Sequence, residues 1–191
     1  MHGTEIVRVF RRDAGRGAHD YADARADADA VITNDSGVAL MLCYADCVPV
    51  LFYDPVHHAM GLVHAGWRGT VQRIAAQTIG RMGEAFGTEA SDVLAGIGPS
   101  IGAGCYTVGA EVAERFRAAF PAYEDEIIEE RDGEIHLDLW AANRVQLMEI
   151  GVVGSNIDCA DVCTSCERNF FYSYRAAGGR TGRLAAVMEL R

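Results

Sequence analysis

Cys47 and His64 are the residues whose types and placement best suit chemistry. Cys47 stands in YADCVPVLF, at a break between two apolar runs. Pro49 has no N–H and so disfavours a central ladder position, which predicts a kink that aims the thiol at a strand end. His64 stands in VHAGWRGT, where the apolar run AMGLV stops on an imidazole. A hairpin turning at Asp54-Pro55 would bring both side chains to one sheet edge. A lone cysteine of this kind more often packs as a small apolar residue, so it is the pairing that points to chemistry. A thiolate beside an imidazole suits Zn²⁺. It suits a metal-free Cys–His nucleophile pair equally well. A catalytic zinc takes three protein ligands and a water, and spacing alone does not choose the third.

Other polar groups stand near these two in sequence. Asp46 precedes the cysteine and is placed for proton transfer. Arg68 sits just ahead of a helix pattern, where backbone N–H groups and the macrodipole favour an anion; its plainer role is a surface ion pair. Ser173 and Arg175 follow the aromatic run FFYSY and form a second polar cluster. Cys163 and Cys166 form a lone C-x-x-C. A structural zinc would want a second such pair and a redox pair a thioredoxin-like context, so the two read as structural or supporting residues. GIGPSIGAG resembles an anion-binding turn but is neither a P-loop nor a dinucleotide fingerprint. His57 and His58 fall in a polar turn and are expected in solvent. His136 alternates with Glu134 and Asp138 on a polar strand face, in a structural or surface role.

The elements that must position these groups follow from the apolar patterning. Strands are predicted at 5–10, 30–33, 37–43, 48–54, 59–64, 92–98, 134–139, 152–157 and 184–190. Thr70 is expected to cap a helix that ends at Gly87. Further helices are expected over 111–120 and from a cap at Asp138 through Ile150, with Gly151 as the C-terminal cap. The Ala/Asp/Arg-rich segment 13–30 reads as an exposed loop. Closely spaced strands favour hairpins over crossovers, and the mixture with helices predicts an α+β fold.

Composition narrows the possible partners. The chain has 191 residues, which fits one domain over 1–191, and a formal net charge of -10, which disfavours nucleic acid and anionic membranes. No apolar run is long enough to span a bilayer and no secretory pattern opens the chain. The six cysteines are therefore expected in a reducing cytoplasm.

YADCVPVLFYDP, GLVHAGWRGT, GIGPSIGAGCYTVG and CTSCERNFFYSYRAAGGRTGR, in this order, resemble the laccase-domain family, also called the YfiH or polyphenol-oxidase-like family. The resemblance implies a layered α/β/β/α sandwich with mixed sheets. It also implies a zinc held by His2, Cys47 and His64, so that it supplies the third ligand. The implied activity is phosphorolysis of adenosine, inosine, guanosine and methylthioadenosine, with deamination of adenosine, on a purine nucleoside and phosphate. Arg68, and after it Arg175, are then the phosphate-binding candidates. The competing readings are a copper-dependent polyphenol oxidase, a metal-free Cys-His hydrolase with Cys47 as nucleophile, and an inactive truncated remnant. Six histidines with no His-x-His pair disfavour a multicopper centre.

Two departures from the family stand out. Cys105-Tyr106-Thr107 replaces the common Cys-Tyr-Glu. Met1 falls where the family carries valine, after a segment that has no counterpart here, which predicts a misassigned start or a genuine N-terminal truncation. In either case His2 can serve as a ligand only if the strand over 5–10 pins it.

Overall fold

The computed structural model describes residues 3–25 and 27–191. His2, expected as the third metal ligand, lies outside the described residues.

The expected hairpin stands at the centre of the molecule as β4 (Val48–Asp54) and β5 (Ala59–Ala65). Both strands are buried along nearly their whole length, which explains why they read as continuous apolar runs rather than alternating ones. Their turn is tied by Asp54, whose carboxylate accepts from the N–H groups of Val56 (2.8 Å) and His57 (3.0 Å) and contacts His57 Nδ1 at 2.9 Å. His57, expected in solvent, is thus bound to the turn. Burial pushes the Asp54 carboxyl up, but the donors around it outweigh that and hold it below the ordinary carboxylate value.

A six-stranded mixed sheet grows from this hairpin, in the order β1 (Ile6–Arg8), β2 (Ala30–Thr33), β5, β4, β6 (Leu94–Ile97) and β10 (Ile157–Cys159). The outer pairs β1–β2 and β6–β10 are parallel and the inner ones antiparallel. Over one face lies an antiparallel ribbon of β3 (Ala39–Tyr44) and β11 (Leu184–Glu189). Leu40, Met60, Leu62, Val31 and Leu190 fill the core on that face. On the other face, Ile74, Ile79 and Met82 pack with Phe52 and Val63 in the larger core. The helices there are α1 (Trp67–Val71), α2 (Ile74–Phe86) and α5 (Leu139–Glu149). A smaller sheet of β7 (Thr107–Val108), β9 (Glu134–Leu137) and β8 (Ile128–Arg131) stands with α3 (Ala110–Ala119) and α4 (Glu124–Ile127). The α+β class with mixed sheets is therefore the observed one.

Four local expectations change. The helix predicted from Thr70 begins at Trp67 with Gly66 as its N-cap, and Thr70 is buried inside it, accepting from Asn143 Nδ2 at 3.2 Å. It breaks at Arg73, which adopts a left-handed φ of 63°. That conformation is held by a donated bond to the Ala119 carbonyl (2.7 Å) and stacking on Phe120, tertiary contacts that no local pattern encodes. Over 152–157, Gly154–Asn156 form a 3-10 turn and only Ile157 enters a strand. His136 is buried rather than at the surface, with Nδ1 3.0 Å from the Ala103 carbonyl and Nε2 3.9 Å from the Glu134 carboxylate beside it on the strand. The segment 13–30 is more than an exposed loop, because Asp13 accepts from Arg25 at 2.9 Å and the segment walls a cavity described below. Asp138 caps its helix as expected, accepting from the Ala141 N–H at 2.9 Å.

No helix among the described residues is long and apolar enough to cross a membrane.

Candidate metal and anion site

Strand register delivers Cys47 and His64 to the same place. Pro49 faces His64 and Val48 faces Ala65, and Cys47 immediately precedes Val48. Both residues line a cavity of about 880 Å³ between the central sheet, the β3–β11 ribbon and the segment around Asp13 and Arg25. Tyr174 and Arg183 complete its wall. The imidazole is oriented by Tyr44, whose ring meets it edge-on with centroids 5.4 Å apart. Tyr44 is itself fixed, fully buried and donating its hydroxyl to the Val63 carbonyl at 3.1 Å. Burial pushes the Cys47 thiol up to about 11, and the neighbouring Asp46 adds to this while Arg183 opposes it. A neutral thiol at this position is the resting form of the metal-free protein.

Asp46 organises the bend. Its φ of 78° lies in the left-handed region, which costs a non-glycine residue unless surrounding contacts impose it. Here they do. Its Oδ1 accepts from Thr164 Oγ1 at 2.7 Å, its Oδ2 from the Arg175 N–H at 2.6 Å, and its own carbonyl from the Ile101 N–H at 3.0 Å. The carboxylate is buried and turned to these partners. These bonds engage both oxygens of the carboxylate that the sequence suggested for proton transfer.

The two candidate phosphate binders stand on different aromatic rings, and both act on the charge of Tyr106. Arg175 lies 5.0 Å from the Tyr106 ring centroid and donates through one guanidinium nitrogen to the carbonyl (2.8 Å) and hydroxyl (3.1 Å) of Thr107. Arg68 is exposed and stacks over Trp67 at 4.5 Å. It is the second residue of a short helix rather than a residue ahead of one. The Tyr106 phenol is pushed up to about 12, by burial first and by Cys47 and Asp46, against the pull of Arg175 and Arg68. One phenol is thus within electrostatic reach of four of the residues singled out from sequence. Tyr106 and Arg183 were missed as site residues; both stand inside stretches that carried the family resemblance, CYT and GRTGR.

The C-x-x-C pair also has a partner that the sequence did not show. The sulfurs of Cys105, Cys163 and Cys166 all lie within 4.8 Å of one another, and Cys105 and Cys166 are 3.5 Å apart. Burial alone would push the Cys163 thiol up. N–H groups of Gly102, Cys166 and Ser165, with the Cys166 side chain, outweigh that and lower it below the ordinary thiol value. Cys166 moves the other way, to about 12, through its contacts with the Cys105 and Cys163 sulfurs. This trio could hold a metal.

Gly3, the first described residue, is anchored beside the Cys47–His64 pair. Its N–H donates to Asp29 Oδ2 at 3.1 Å, and the Asp29 carbonyl accepts from the His64 N–H at 2.7 Å. A methyl group placed on Gly69 would lie 3.3 Å from the Gly3 carbonyl oxygen, so the close approach of these two segments favours glycine at position 69.

The family model described as "Multi-copper polyphenol oxidoreductase laccase" matches residues 1–191. The chain is 38% identical over 190 residues to purine nucleoside phosphorylase YlmD of Bacillus subtilis, covering 100% of this chain and 68% of that protein. It is 41% identical over 192 residues to purine nucleoside phosphorylase YlmD of Geobacillus stearothermophilus, covering 100% and 70%. The crystal structure of Bacillus licheniformis YfiH superposes with a TM-score of 0.95 at 38% identity, covering 100% of this chain and 72% of that one.

Proposed function

This chain belongs to the multi-copper polyphenol oxidoreductase laccase family, and we propose from that premise that it is a zinc-dependent purine nucleoside phosphorylase that also deaminates adenosine. The observation that carries this reading is the convergence of Cys47 and His64 on one wall of a cavity of about 880 Å³, within the size range that takes small-molecule ligands. The names of the relatives support the phosphorylase activity.

A thiol and an imidazole suit zinc better than magnesium or calcium, which prefer oxygen. His2 is the third ligand in this proposal, supported by the anchoring of its neighbour Gly3 at the strand that carries His64. Zinc bound there would act as a Lewis acid and lower the pKa of a water for attack on the purine ring. The remaining work falls to the chain itself. Cys47 must give up its proton for ligation; with its thiol pushed up to about 11, it is a poor metal-free nucleophile at neutral pH, which argues against a Cys–His hydrolase. Arg68 and Arg175 bind phosphate by charge-assisted hydrogen bonds. Tyr106, protonated up to about pH 12, offers a hydrogen-bond donor beside them. Asp46 holds the bend through Thr164 and Arg175.

Phosphorolysis of inosine by the zinc-loaded protein, with metal analysis of the wild type and of His64→Ala, tests the reading. Turnover and bound zinc that are both lost in His64→Ala are the expected result. A folded, zinc-loaded protein that releases no hypoxanthine overturns it. Oxidation of a phenol by the copper-loaded protein alone would return the assignment to a polyphenol oxidase.

A further inference from the structure

The Cys105–Cys163–Cys166 trio is separate from the Cys47–His64 pair, and its local geometry is that of a prepared ligand set. Cys163 and Cys166 are three residues apart on one turn, closed by a bond from the Cys166 N–H to the Cys163 carbonyl at 3.2 Å. The Gly102 N–H donates to the Cys163 sulfur at 3.2 Å, and the Ser165 and Cys166 amides of the same turn help to lower its thiol. Donors of this kind stabilise a thiolate and fix the direction of its lone pairs. Cys105 arrives from a different part of the chain, at the end of the 3-10 turn Ala103–Cys105. Tetrahedral Zn–S bonds of about 2.3 Å set sulfurs about 3.8 Å apart, close to the 3.5 Å between Cys105 and Cys166, and the three sulfurs, all within 4.8 Å of one another, would draw together slightly around one cation. Cys163 and Cys105 are half-buried and Cys166 is exposed, which leaves one side of the trio open to water.

We propose that Cys105, Cys163 and Cys166 form a second, three-thiolate Zn²⁺ site with water as the fourth ligand, which staples the 98–107 segment to the 160–175 segment and thereby sets the position of Asp46. Three soft donors and no oxygen ligand from the protein select a thiophilic cation. Binding exchanges the thiol protons for the metal, and these pass to solvent. The consequence for Asp46 runs through Thr164, which lies between the two cysteines of the C-x-x-C and donates to Asp46 Oδ1. The stapled segments also meet at the Ser100–Cys163 bridge, and Trp140 Nε1 donates to Ser100 Oγ at 2.6 Å beneath it. With the cation in place, the turn carrying Thr164 can no longer swing away from Asp46. The 160–175 segment gains little from its aromatic run, since Phe170, Tyr172 and Tyr174 are exposed rather than packed.

The test uses Cys47→Ala, which removes the strand-end thiol and leaves the trio intact. Reduced and stripped of metal, this variant is titrated with Co²⁺ and then with Zn²⁺. The expected result is one cobalt with an intense sulfur-to-cobalt charge-transfer band, displaced by one zinc, and complete loss of the band in Cys47→Ala/Cys163→Ser. Because Cys166 is exposed, Cys47→Ala/Cys166→Ser should fold even if the Cys163 variant does not, and it should lose the band as well. Zinc should also slow hydrogen exchange at the Thr164 and Arg175 amides in the wild type, and leave exchange unchanged in Cys166→Ser. No charge-transfer band in folded Cys47→Ala overturns the site. So does a reduced, fresh preparation that is two hydrogen atoms lighter by intact mass, since a Cys105–Cys166 disulfide would then occupy the position. Occupation by Cu(I) with no uptake of zinc overturns the choice of metal.

Discussion

The Cys47–His64 pair and the Cys105–Cys163–Cys166 trio both gather soft donors, but they are assembled in opposite ways. The pair is made by neighbouring strands in register, and its thiol is desolvated with few donors around it. The trio is made by loops whose cysteines are as far apart as 61 residues in sequence, and its central sulfur is surrounded by backbone N–H groups. The first arrangement raises a thiol pKa and the second lowers one. The residue type is the same in both places; desolvation in one and hydrogen bonding in the other decide which way the thiol shifts.

The largest effect expected from breaking this contrast is on turnover. Cys47→Ala should lower inosine phosphorolysis by more than about 100-fold, beyond the 10–100-fold that supporting residues around a metal cost, whereas Cys166→Ser should lower it by less than about 10-fold, measured as initial rates with zinc present. Equal losses would erase the distinction. Next comes reactivity in the metal-stripped protein. With Cys163 below the ordinary thiol value of 9.0 and Cys47 near 11, iodoacetamide at pH 8 should label Cys163 faster than Cys47 by more than about 10-fold, even after the lower intrinsic nucleophilicity of the more acidic thiol is allowed for. Labelling of Cys47 should keep rising with pH up to about 11, while that of Cys163 levels off at lower pH; peptide mass mapping reads both.

A smaller effect separates positioning from proton transfer at the link between the two regions. Asp46→Asn removes the acceptor for one of the two donors to its carboxylate, so a loss of about 1–3 kcal/mol in urea stability is expected. Bound zinc should be retained, and the pH–rate profile should keep its shape while falling in height. Disappearance of one limb of that profile would make Asp46 the proton carrier after all. The smallest change expected is in Thr107→Glu. A carboxylate there would pair with Arg175, which now donates to Thr107, and should raise the KM for phosphate by about 3-fold or more, in line with the modest worth of exposed ion pairs.

The parts of this molecule that were legible in sequence are those whose cause is local. The β4–β5 hairpin, the Asp138 cap and the Gly87 helix end follow from apolar runs, a side-chain acceptor and a residue free to adopt positive φ. Cys47 and His64 could be paired because one turn joins their strands. Local cause fails at Arg73, where bonds to another helix impose the break, and at Asp46, whose partners come from far downstream in the chain. Cys105 was overlooked as a companion of the C-x-x-C for the same reason: nothing near it in sequence announces the loop it meets. The 13–30 segment has too little apolar periodicity to show that Asp13 pairs with Arg25 or that parts of it wall the cavity.

The bonds that hold Asp46 also impose an order on synthesis. Its partners Thr164 and Arg175 lie 118 and 129 residues downstream, and the ribbon strand β11 that lies over the cavity's sheet is made later still. The β4–β5 hairpin can form early on the ribosome, with its cysteine already aimed. The bend beside it is locked only when the loop carrying Thr164 and Arg175 docks, so a nascent chain carries an exposed, unheld Cys47 while the intervening segment is being made. On the proposed reading, ligand binding therefore needs the chain through Arg175, and a ribosome stalled before it would lack the bonds that hold the bend.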